Sequence, residues 1–319
     1  MTAPVVSVLM TAYNRERYIG PAIESVLGQT FRDFELIVVD DASSDGTVAV
    51  ARRFQDDPRV RVVVNPANLG DYPNRNRAAA LAGGEFLKYH DSDDVMYPHC
   101  LATMLEPLRA EPRAGLALSA SWCWPGGPCP MLLTPRMAYQ REFLGGGLFM
   151  GGPAAGLFRA EAFRRVGGFP QSGVGSDYLF WLAACAVLWT LLVPGDLFWY
   201  RTHQQQELRS PMAAREYALV AGAAWRALER PDCPLEAAER EVARRNVAYN
   251  TVKLCLREIR RGRPGIGALR LARAGLGWRD WLRYLRPPRR RLMAGTPLDE
   301  RRDYLMPGWP GDRPGGRLT

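Results

Sequence analysis

The sequence predicts an α/β fold in which a mixed, mostly parallel sheet is flanked by helices. Short apolar runs that suit buried strands recur through the first hundred residues. Segments with helical spacing of apolar residues lie between them, and polar residues follow each run. Strands and helices in alternation imply parallel strands whose carboxyl ends share one edge, where open α/β sheets bind ligands.

Four strands and three helices are expected in this first part of the chain. The predicted strands are 5–10, 35–39, 60–64 and 85–87. The predicted helices are 21–29, 47–54 and 74–82. Pro21 suits a first helical turn, where its missing N–H costs nothing. Residues 40–47, Asp-Asp-Ala-Ser-Ser-Asp-Gly-Thr, are rich in side chains that cap a following helix.

The pattern continues less regularly toward residue 210. A helix is expected at 99–109 and a strand at 116–120, whereas 121–139 has scattered Pro, Gly and Trp and is predicted to be irregular. Residues 178–194 carry no charge. That run is short of a comfortable membrane span, so a buried position is predicted for it instead.

Three carboxylates, on Asp91, Asp93 and Asp94, directly follow the fourth predicted strand. They would repel one another unless water, an arginine or a divalent ion compensates them. Oxygen ligands favour Mg²⁺ or Mn²⁺, which keeps open positions for phosphate groups. A solvated acidic loop is the alternative, because an isolated Asp-x-Asp is a short pattern.

Three motifs occur in order: VSVLMTAYNRERYIGPAIESVLGQTFRDFELIVVDDASSDGT, then NLG, then NRNRAAALAGGEFLKYHDSDD. In this arrangement the chain resembles the nucleotide-binding half of the family-2 inverting glycosyltransferases, which have the GT-A fold. The resemblance implies a nucleotide-diphosphate sugar as donor and a hydroxyl as acceptor. It also implies that 178–194 forms a buried helix followed by a strand.

The resemblance implies a set of nucleotide-binding residues near the strand ends. They are Thr11, Ala12, Tyr13, Asp40, Asp41, Asn68, Arg75, Asp91 and Ser92. The ring of Tyr13 offers a stacking face to a base, and the carboxylate of Asp41 can accept a hydrogen bond from a ring N–H. Arg75 could contact the diphosphate. The alternatives are a tyrosine packed at the rim and ordinary surface charge on a helix.

The resemblance places a Mn²⁺ or Mg²⁺ ion on Asp93, with Asp91 and His203 as further ligands. Arg201 and His203 would contact the diphosphate, and residues 204–211 would close over the donor. His203 is one of three histidines in the chain. A purely structural role for a lone histidine is the alternative.

Gly167-Gly168-Phe169, followed by Ser176-Asp177 before an apolar stretch, resembles the part of the family that supplies the catalytic base. Asp177 is therefore the predicted base, since a carboxylate at a helix N-terminus remains ionised and can accept a proton from a hydroxyl. The alternative is that Asp177 only caps the helix. Many relatives have Glu-Asp here, whereas Ser176 leaves this chain one carboxylate.

Charge divides the chain unevenly. Residues 211–319 contain 23 Arg and Lys against 12 Asp and Glu, a net charge of +11, so the first 210 residues carry −2 of the chain's net +9. Four helices are expected in this part, at 213–228, 235–260, 266–274 and 278–285. Arginines with interleaved Trp and Leu suit an anionic membrane surface. Helices packed on the catalytic domain with solvated arginines explain the composition equally well.

The predicted organisation is a GT-A domain at 1–210, with a nucleotide half at 1–98 and an acceptor half at 99–210, followed by a helical, Arg-rich extension at 211–319. Six cysteines without a C-x-x-C pair, and no recognisable signal peptide, predict reduced thiols in the cytoplasm. The expected location is the cytoplasm, with peripheral contact at the inner face of the membrane.

Two other classes of protein compete with an inverting, hexosyltransferase-type enzyme. A nucleotidyltransferase would need a basic, glycine-rich loop after the first strand, and Thr11-Ala12-Tyr13-Asn14 is not such a loop. A non-catalytic protein that binds sugar nucleotides, or nucleic acid through its basic tail, has no need of carboxylates at Asp41, Asp93 and Asp177 together. No nucleic-acid partner is therefore expected.

Overall fold

The computed structural model describes residues 3–119, 129–149, 151–173, 175–203, 215, 217–218 and 221–284. The strands are β1 Val6–Ala12, β2 Phe34–Asp40, β3 Val60–Val64, β4 Phe86–Tyr89, β5 Val95–Met96, β6 Ala114–Ser119, β7 Met131–Leu133, β8 Gly156–Arg159, β9 Trp189–Val193 and β10 Phe198–Trp199. The helices are α1 Ile19–Leu27, α2 Thr47–Arg52, α3 Asp71–Ala80, α4 Cys100–Ala110, α5 Pro135–Phe143, α6 Ala160–Val166, α7 Ser176–Val187, α8 Ala223–Glu229, α9 Ala237–Arg260, α10 Pro264–Arg273 and α11 Trp278–Tyr284.

Eight strands form one sheet in the order β3-β2-β1-β4-β8-β6-β9-β7. The first four are parallel to one another, and β6 is parallel to β9. β8 runs antiparallel between β4 and β6, and β7 runs antiparallel to β9. A separate ribbon pairs β5 with β10. The predicted mixed, mostly parallel sheet is therefore confirmed.

Hydrophobic residues cover both faces of the sheet. In β1, Val6, Val8 and Met10 belong to a core shared with α1 and α4, whereas Leu9 belongs to the opposite core, which α3, α5, α6 and α7 complete. Strands buried on both faces read as continuous apolar runs, which is why the sequence revealed them. Because β1 to β4 are parallel, the polar loops at their carboxyl ends lie at one edge of the sheet.

The prediction that 121–139 is irregular is wrong for its second part. Residues 131–133 form β7, which pairs with β9, and α5 begins at Pro135. The hydroxyl of Thr134 caps this helix by accepting from the backbone N–H of Met137 at 3.2 Å. A three-residue strand has no detectable period, and its partner lies about sixty residues away, so local pattern could not find it. Residues 120–128 lie outside the described part of the chain.

The first part of α9 packs against α5. Asn246 of α9 donates its side-chain amide to the carbonyl oxygen of Phe143 at 2.8 Å, and Arg136 of α5 pairs with Glu239 at 2.9 Å. The predicted mobile segment 204–211 lies outside the described residues. Residues 286–291 lie outside them as well. None of the helices that the structure describes is both long and apolar enough to span a bilayer.

Candidate active site

A cavity of about 1010 Å³ opens at the carboxyl edge of the sheet. It brings together ten of the residues predicted from sequence: Thr11, Ala12, Tyr13, Asp41, Asn68, Arg75, Asp91, Ser92, Asp93 and Asp177. Asp40, Arg201 and His203 are not among its lining residues. Further wall residues that sequence reasoning missed include Arg15, Asp71, Tyr72, Asp196 and Tyr217.

Asp41, predicted to bind the nucleotide base, holds the turn after β3 through hydrogen bonds. Its carboxylate accepts hydrogen bonds from the side chain of Asn65 at 2.6 Å and from the backbone N–H groups of Leu69 and Gly70 at 2.9 Å each. A carboxylate offers about four acceptor positions, so one remains for a ligand. Asp40 has a different role, because its carboxylate accepts from the backbone N–H of Ser43 at 2.9 Å.

Backbone strain marks the same edge. The described residues include three non-glycine residues with positive φ, namely Asn14 at 54°, Ala42 at 59° and Asp196 at 56°. Asn14 and Asp196 line the cavity, and Ala42 follows Asp41. Such conformations cost on the order of 1–3 kcal/mol each and concentrate at functional sites. The backbone conformation therefore also indicates a functional site at this edge of the sheet.

Arg75 holds two carboxylates in the cavity wall. Its Nε donates to Asp71 at 2.8 Å, and one terminal nitrogen donates to Asp91 at 2.7 Å. Its other terminal nitrogen is buried without a hydrogen-bond partner. Burial alone would raise the pKa of Asp91, yet the Arg75 guanidinium holds that pKa below its ordinary value. Asp91 is therefore compensated by an arginine that the sequence places sixteen residues earlier.

Two other side chains contact the carboxylate of Asp93. Its Oδ2 accepts from Nε of Arg15 at 3.1 Å and lies 2.9 Å from Nε2 of His203. The His203 ring also stacks on Tyr18, with ring centroids 4.5 Å apart. Arg15 donates further to the carbonyl oxygens of Tyr13 and Asn14. The two loops that carry Arg15 and His203 therefore converge on one carboxylate oxygen.

Asp94 holds the segment that follows β10 and carries His203. Its Oδ1 accepts from the backbone N–H of Arg201 at 2.9 Å, while Nε of Arg201 donates to the carbonyl oxygen of Asp93 at 2.9 Å. The β5–β10 ribbon lies immediately beside these contacts. Burial, with Asp91 nearby, raises the pKa of Asp94 to about 8. Arg201 thus contacts the carboxylate motif itself rather than the cavity.

A divalent ion fits the donor set of Asp93 and His203. No group of three or more His, Cys, Asp or Glu side chains suited to a metal occurs among the residues that the structure covers. One carboxylate and one imidazole suit an ion that takes its remaining ligands from phosphate oxygens and water. Asp91, the third predicted ligand, is bonded to Arg75 instead.

Asp177 enters the cavity from the first turn of α7. The helix begins after Gly175, whose φ of 96° suits glycine, and no side chain caps it. Asp177 is its second residue and accepts from the backbone N–H of Tyr178 at 2.7 Å. Burial raises the pKa of Asp177, while the N–H of Tyr178 and the charge of Arg75 oppose that rise.

Asn76 joins α3 to the loop before α7. Its amide donates to the carbonyl oxygen of Phe169 at 2.7 Å, and its oxygen accepts from the Phe169 N–H at 2.9 Å. A Cβ at Gly168 would lie 2.7 Å from that oxygen, which explains the glycine. The only sequence signal for this contact was the Gly-Gly-Phe motif. Asn76 therefore ties the element that carries Arg75 to the one that carries Asp177.

We expect Asn76→Ala to destabilise the fold by about 1–3 kcal/mol, because both hydrogen bonds of this partly buried pair are lost. Chemical unfolding of the variant measures this directly. Asn250→Ala, at an exposed amide on α9, is the matched control and should leave the free energy of unfolding within about 0.5 kcal/mol of wild type. Equal stability of Asn76→Ala and wild type would show that the bridge is dispensable.

An α/β protein whose polar side chains converge at the carboxyl ends of its parallel strands belongs to the class that binds ligands at that edge of the sheet. Residues 7–167, just over half of the chain, match the model of Glycosyl transferase family 2. The chain is a member of that family.

A curated relative matches part of this chain. The Escherichia coli protein UDP-Glc:alpha-D-GlcNAc-diphosphoundecaprenol beta-1,3-glucosyltransferase WfgD is 41% identical over 91 residues, 28% of this chain and 36% of that protein. This chain therefore matches well under half the length of the curated relative.

Two solved structures share the fold over most of the chain. S. aureus TarS 1–349 in complex with UDP superposes with a TM-score of 0.59 at 21% identity, covering 78% of this chain and 71% of that one. Mannosyltransferase PcManGT from Pyrobaculum calidifontis, in complex with GDP-Man and Mn²⁺, gives 0.60 at 18% identity, covering 88% and 79%. At these identities the likeness establishes the GT-A fold.

Proposed function

We propose that this protein is an inverting glycosyltransferase that moves a sugar from a nucleotide-diphosphate sugar to an acceptor hydroxyl in a single displacement. One observation carries the proposal: Asp177 lines the same cavity as Asp91 and Asp93, which lie more than eighty residues earlier. A displacement needs a base on the acceptor side and compensation of charge on the leaving-group side. The cavity contains candidates for both.

The donor nucleotide is assigned to the β1 and β2 loops. Tyr13 is 47% exposed, so one face of its ring is available for stacking on a base. The unused acceptor position of Asp41 suits a ring N–H. The neighbours that bind UDP and GDP-Man support a nucleotide-sugar donor. Arg75, which is shared between two carboxylates, is assigned to orienting Asp91 beside the donor.

Mn²⁺ or Mg²⁺ is assigned to Asp93 and His203. When bound, such an ion stabilises the negative charge of the departing diphosphate. Asp94 and Arg201 keep His203 beside Asp93 through their mutual hydrogen bonds. Asp177 accepts the proton of the attacking hydroxyl, and its burial brings its pKa closer to the working pH. The Mn²⁺ and GDP-Man of PcManGT support divalent metal use.

The acceptor is assigned to cavity residues from later in the chain, namely Gly151, Gly152, Asp196 and Tyr217. These residues lie away from the β1 and β2 loops in the chain, and they include aromatic and small side chains that leave room for a ring. WfgD acts on a diphosphoundecaprenol-linked sugar. A glycan or a lipid-linked sugar at the cytoplasmic face is therefore the acceptor class that we propose.

A panel of nucleotides and nucleotide sugars, each with Mn²⁺ or EDTA, tests this function by thermal shift, because a ligand that binds only the folded state raises the melting temperature. The hit is then incubated with acceptors, and release of nucleoside diphosphate is measured. A nucleotidyltransferase would instead consume nucleoside triphosphate and release pyrophosphate. Pyrophosphate release, or nucleotide binding without transfer to any acceptor, would contradict the proposal.

Arg15→Met should raise the affinity of the nucleotide-free protein for Mn²⁺ by roughly tenfold. A bound ion would lie near the Arg15 guanidinium, because Asp93 would hold both, and two like charges about 4 Å apart repel by up to about 4 kcal/mol near a protein surface. Titration followed by the Mn²⁺ paramagnetic resonance signal measures the affinity. Arg17→Met, at an exposed arginine two residues away, should leave it unchanged. Weaker Mn²⁺ binding by Arg15→Met would mean that Arg15 supports the metal site.

A further inference from the structure

In the second half of α9, polar and small residues face the protein interior and apolar residues face solvent. Thr251, Cys255 and Glu258 are buried on the inner face, with Glu258 only 5% exposed. Apolar residues point outward from the same two turns. In an ordinary amphipathic helix of a globular protein the apolar stripe faces inward.

Close packing explains the inner face. Gly267 of α10 lies so near to α9 that a Cβ there would be 3.2 Å from the carbonyl oxygen of Cys255. Small side chains on both helices allow this approach. Glu258 is paired with Arg263, which follows the turn between the helices, at 2.7 Å. The hairpin of α9 and α10 is therefore closed by its inner face and does not need the outer one.

The outer face combines apolar and basic side chains. We define it as Tyr249, Lys253, Leu256, Arg257, Ile259 and Arg260, which fall within less than half of the helix circumference at 100° per residue. Leu256 and Ile259 are 49% and 50% exposed, and Tyr249 is 40% exposed. The three basic residues are exposed as well. An aliphatic patch ringed by cations is thus turned toward solvent.

The charge of this region is of one sign. Between Glu241 and Asp280 the sequence contains ten Arg and Lys, and Glu258 is the only acidic residue. Since Glu258 is buried and paired, it does not neutralise the outer face. The partner of this face should therefore be anionic and should also accept aliphatic side chains.

We propose that the outer face of α9 docks this protein on an anionic lipid bilayer. A bilayer interface supplies both requirements, because its headgroups attract Lys and Arg while Leu and Ile enter the acyl boundary. Nucleic acid supplies the charge but has no use for Leu256 and Ile259. The chain's own residues 285–319 carry eight Arg against four Asp and Glu, so they share the sign of this face. The inference stands whether or not the protein transfers a sugar.

The test is sedimentation of the full-length protein with vesicles. One set contains phosphatidylcholine alone, and the other also contains about 30% phosphatidylglycerol, whose negative charge gives the bilayer a surface potential. We expect at least tenfold tighter binding to the anionic vesicles, weakened by salt. Leu256→Ser combined with Ile259→Ser should reduce binding to both vesicle types by about tenfold or more. Lys253→Gln, Arg257→Gln and Arg260→Gln together should remove the preference for anionic vesicles.

Matched controls lie on the catalytic domain. Arg52→Gln, Arg53→Gln and Arg109→Gln remove the same charge from other exposed helix positions, and Val187→Ser removes an apolar side chain that is 54% exposed. Neither change should alter vesicle binding, and melting temperatures should show that every variant is folded.

Several outcomes would overturn the proposal. Failure of the wild-type protein to bind anionic vesicles would exclude membrane docking. A concentration-dependent dimer that Leu256→Ser and Ile259→Ser disrupt would assign the outer face to contact with a second copy of the chain. Salt-sensitive binding to a DNA duplex without vesicle binding would assign it to nucleic acid. Vesicle binding lost on replacing Arg286, Arg289, Arg290 and Arg291, but retained in the α9 variants, would assign the membrane contact to the C-terminal arginines instead.

Discussion

Asp177→Asn should lower the rate of sugar transfer by roughly 10²- to 10⁴-fold, the range expected when a general base is lost. Donor affinity should change little, because the residue is assigned to the acceptor side. The amide oxygen can still accept from the N–H of Tyr178, so the local backbone is preserved. Turnover, donor affinity and melting temperature measured on one preparation separate these effects.

The stability of the same variant provides an independent readout. Burial raises the pKa of Asp177, so the folded protein holds this proton more tightly than the unfolded chain does. Ionisation therefore costs stability as the pH rises above the ordinary range of a carboxyl group. Asp177→Asn removes that cost and should melt at a higher temperature than wild type at neutral pH, with the difference shrinking in acid.

Glu161→Gln is the matched control, because Glu161 is likewise the second residue of a helix, α6, but lies outside the cavity. It should retain normal turnover and show no comparable rise in melting temperature. Near-normal turnover of Asp177→Asn would remove Asp177 from the mechanism. A lowered melting temperature would instead favour a structural role at the start of α7.

Asp93→Asn should abolish the effect of metal on nucleotide binding. For the wild-type protein we expect nucleoside diphosphate to bind about 100-fold more tightly with Mn²⁺ than with EDTA, because a divalent ion held by Asp93 would offset the negative charge of the diphosphate. Calorimetry with UDP and GDP under both conditions measures this ratio. In Asp93→Asn the two affinities should be nearly equal.

His203→Ala tests the second ligand in the same experiment. Since Asp93 and His203 are assigned to one ion, the double variant should lose little more than either single variant. Asp57→Asn, which removes a carboxylate paired with Arg59 away from the cavity, should keep the wild-type ratio. Equal affinity of the wild type with Mn²⁺ and with EDTA would remove the metal from the proposed function.

Local sequence determined the strands and the loops that follow them. The runs at Val60–Val64 and Phe34–Asp40 are strands because β-branched residues suit a sheet that is buried on both faces. Parallel pairing then confines their carboxyl ends, and the polar loops after them, to one edge. Thr11, Asn68 and residues 91–94 follow such strands, so the sequence alone predicts that they lie at one edge, whereas Asp177 is predicted from the family resemblance.

The tertiary structure decided which charges meet. In the sequence only Lys88 and His90 lie close to Asp91 and Asp93. The fold adds Arg75 beside Asp91, and it adds Arg15 and His203 beside Asp93. These contacts join residues up to 110 positions apart, and they depend on how α3 and the β5–β10 ribbon pack. Electrostatic compensation over such separations has no local signature.

Helix α9 shows the same division. Its length and basic character follow from composition and from strong helix formers, and the prediction of 235–260 is close to the observed Ala237–Arg260. Which face of it would be covered could not be read from the sequence, since Leu256 and Ile259 belong by type to an interior and Glu258 to a surface. The close approach of α10 at Gly267 reverses that order, because small inward residues let the two backbones meet and leave the larger apolar side chains outside.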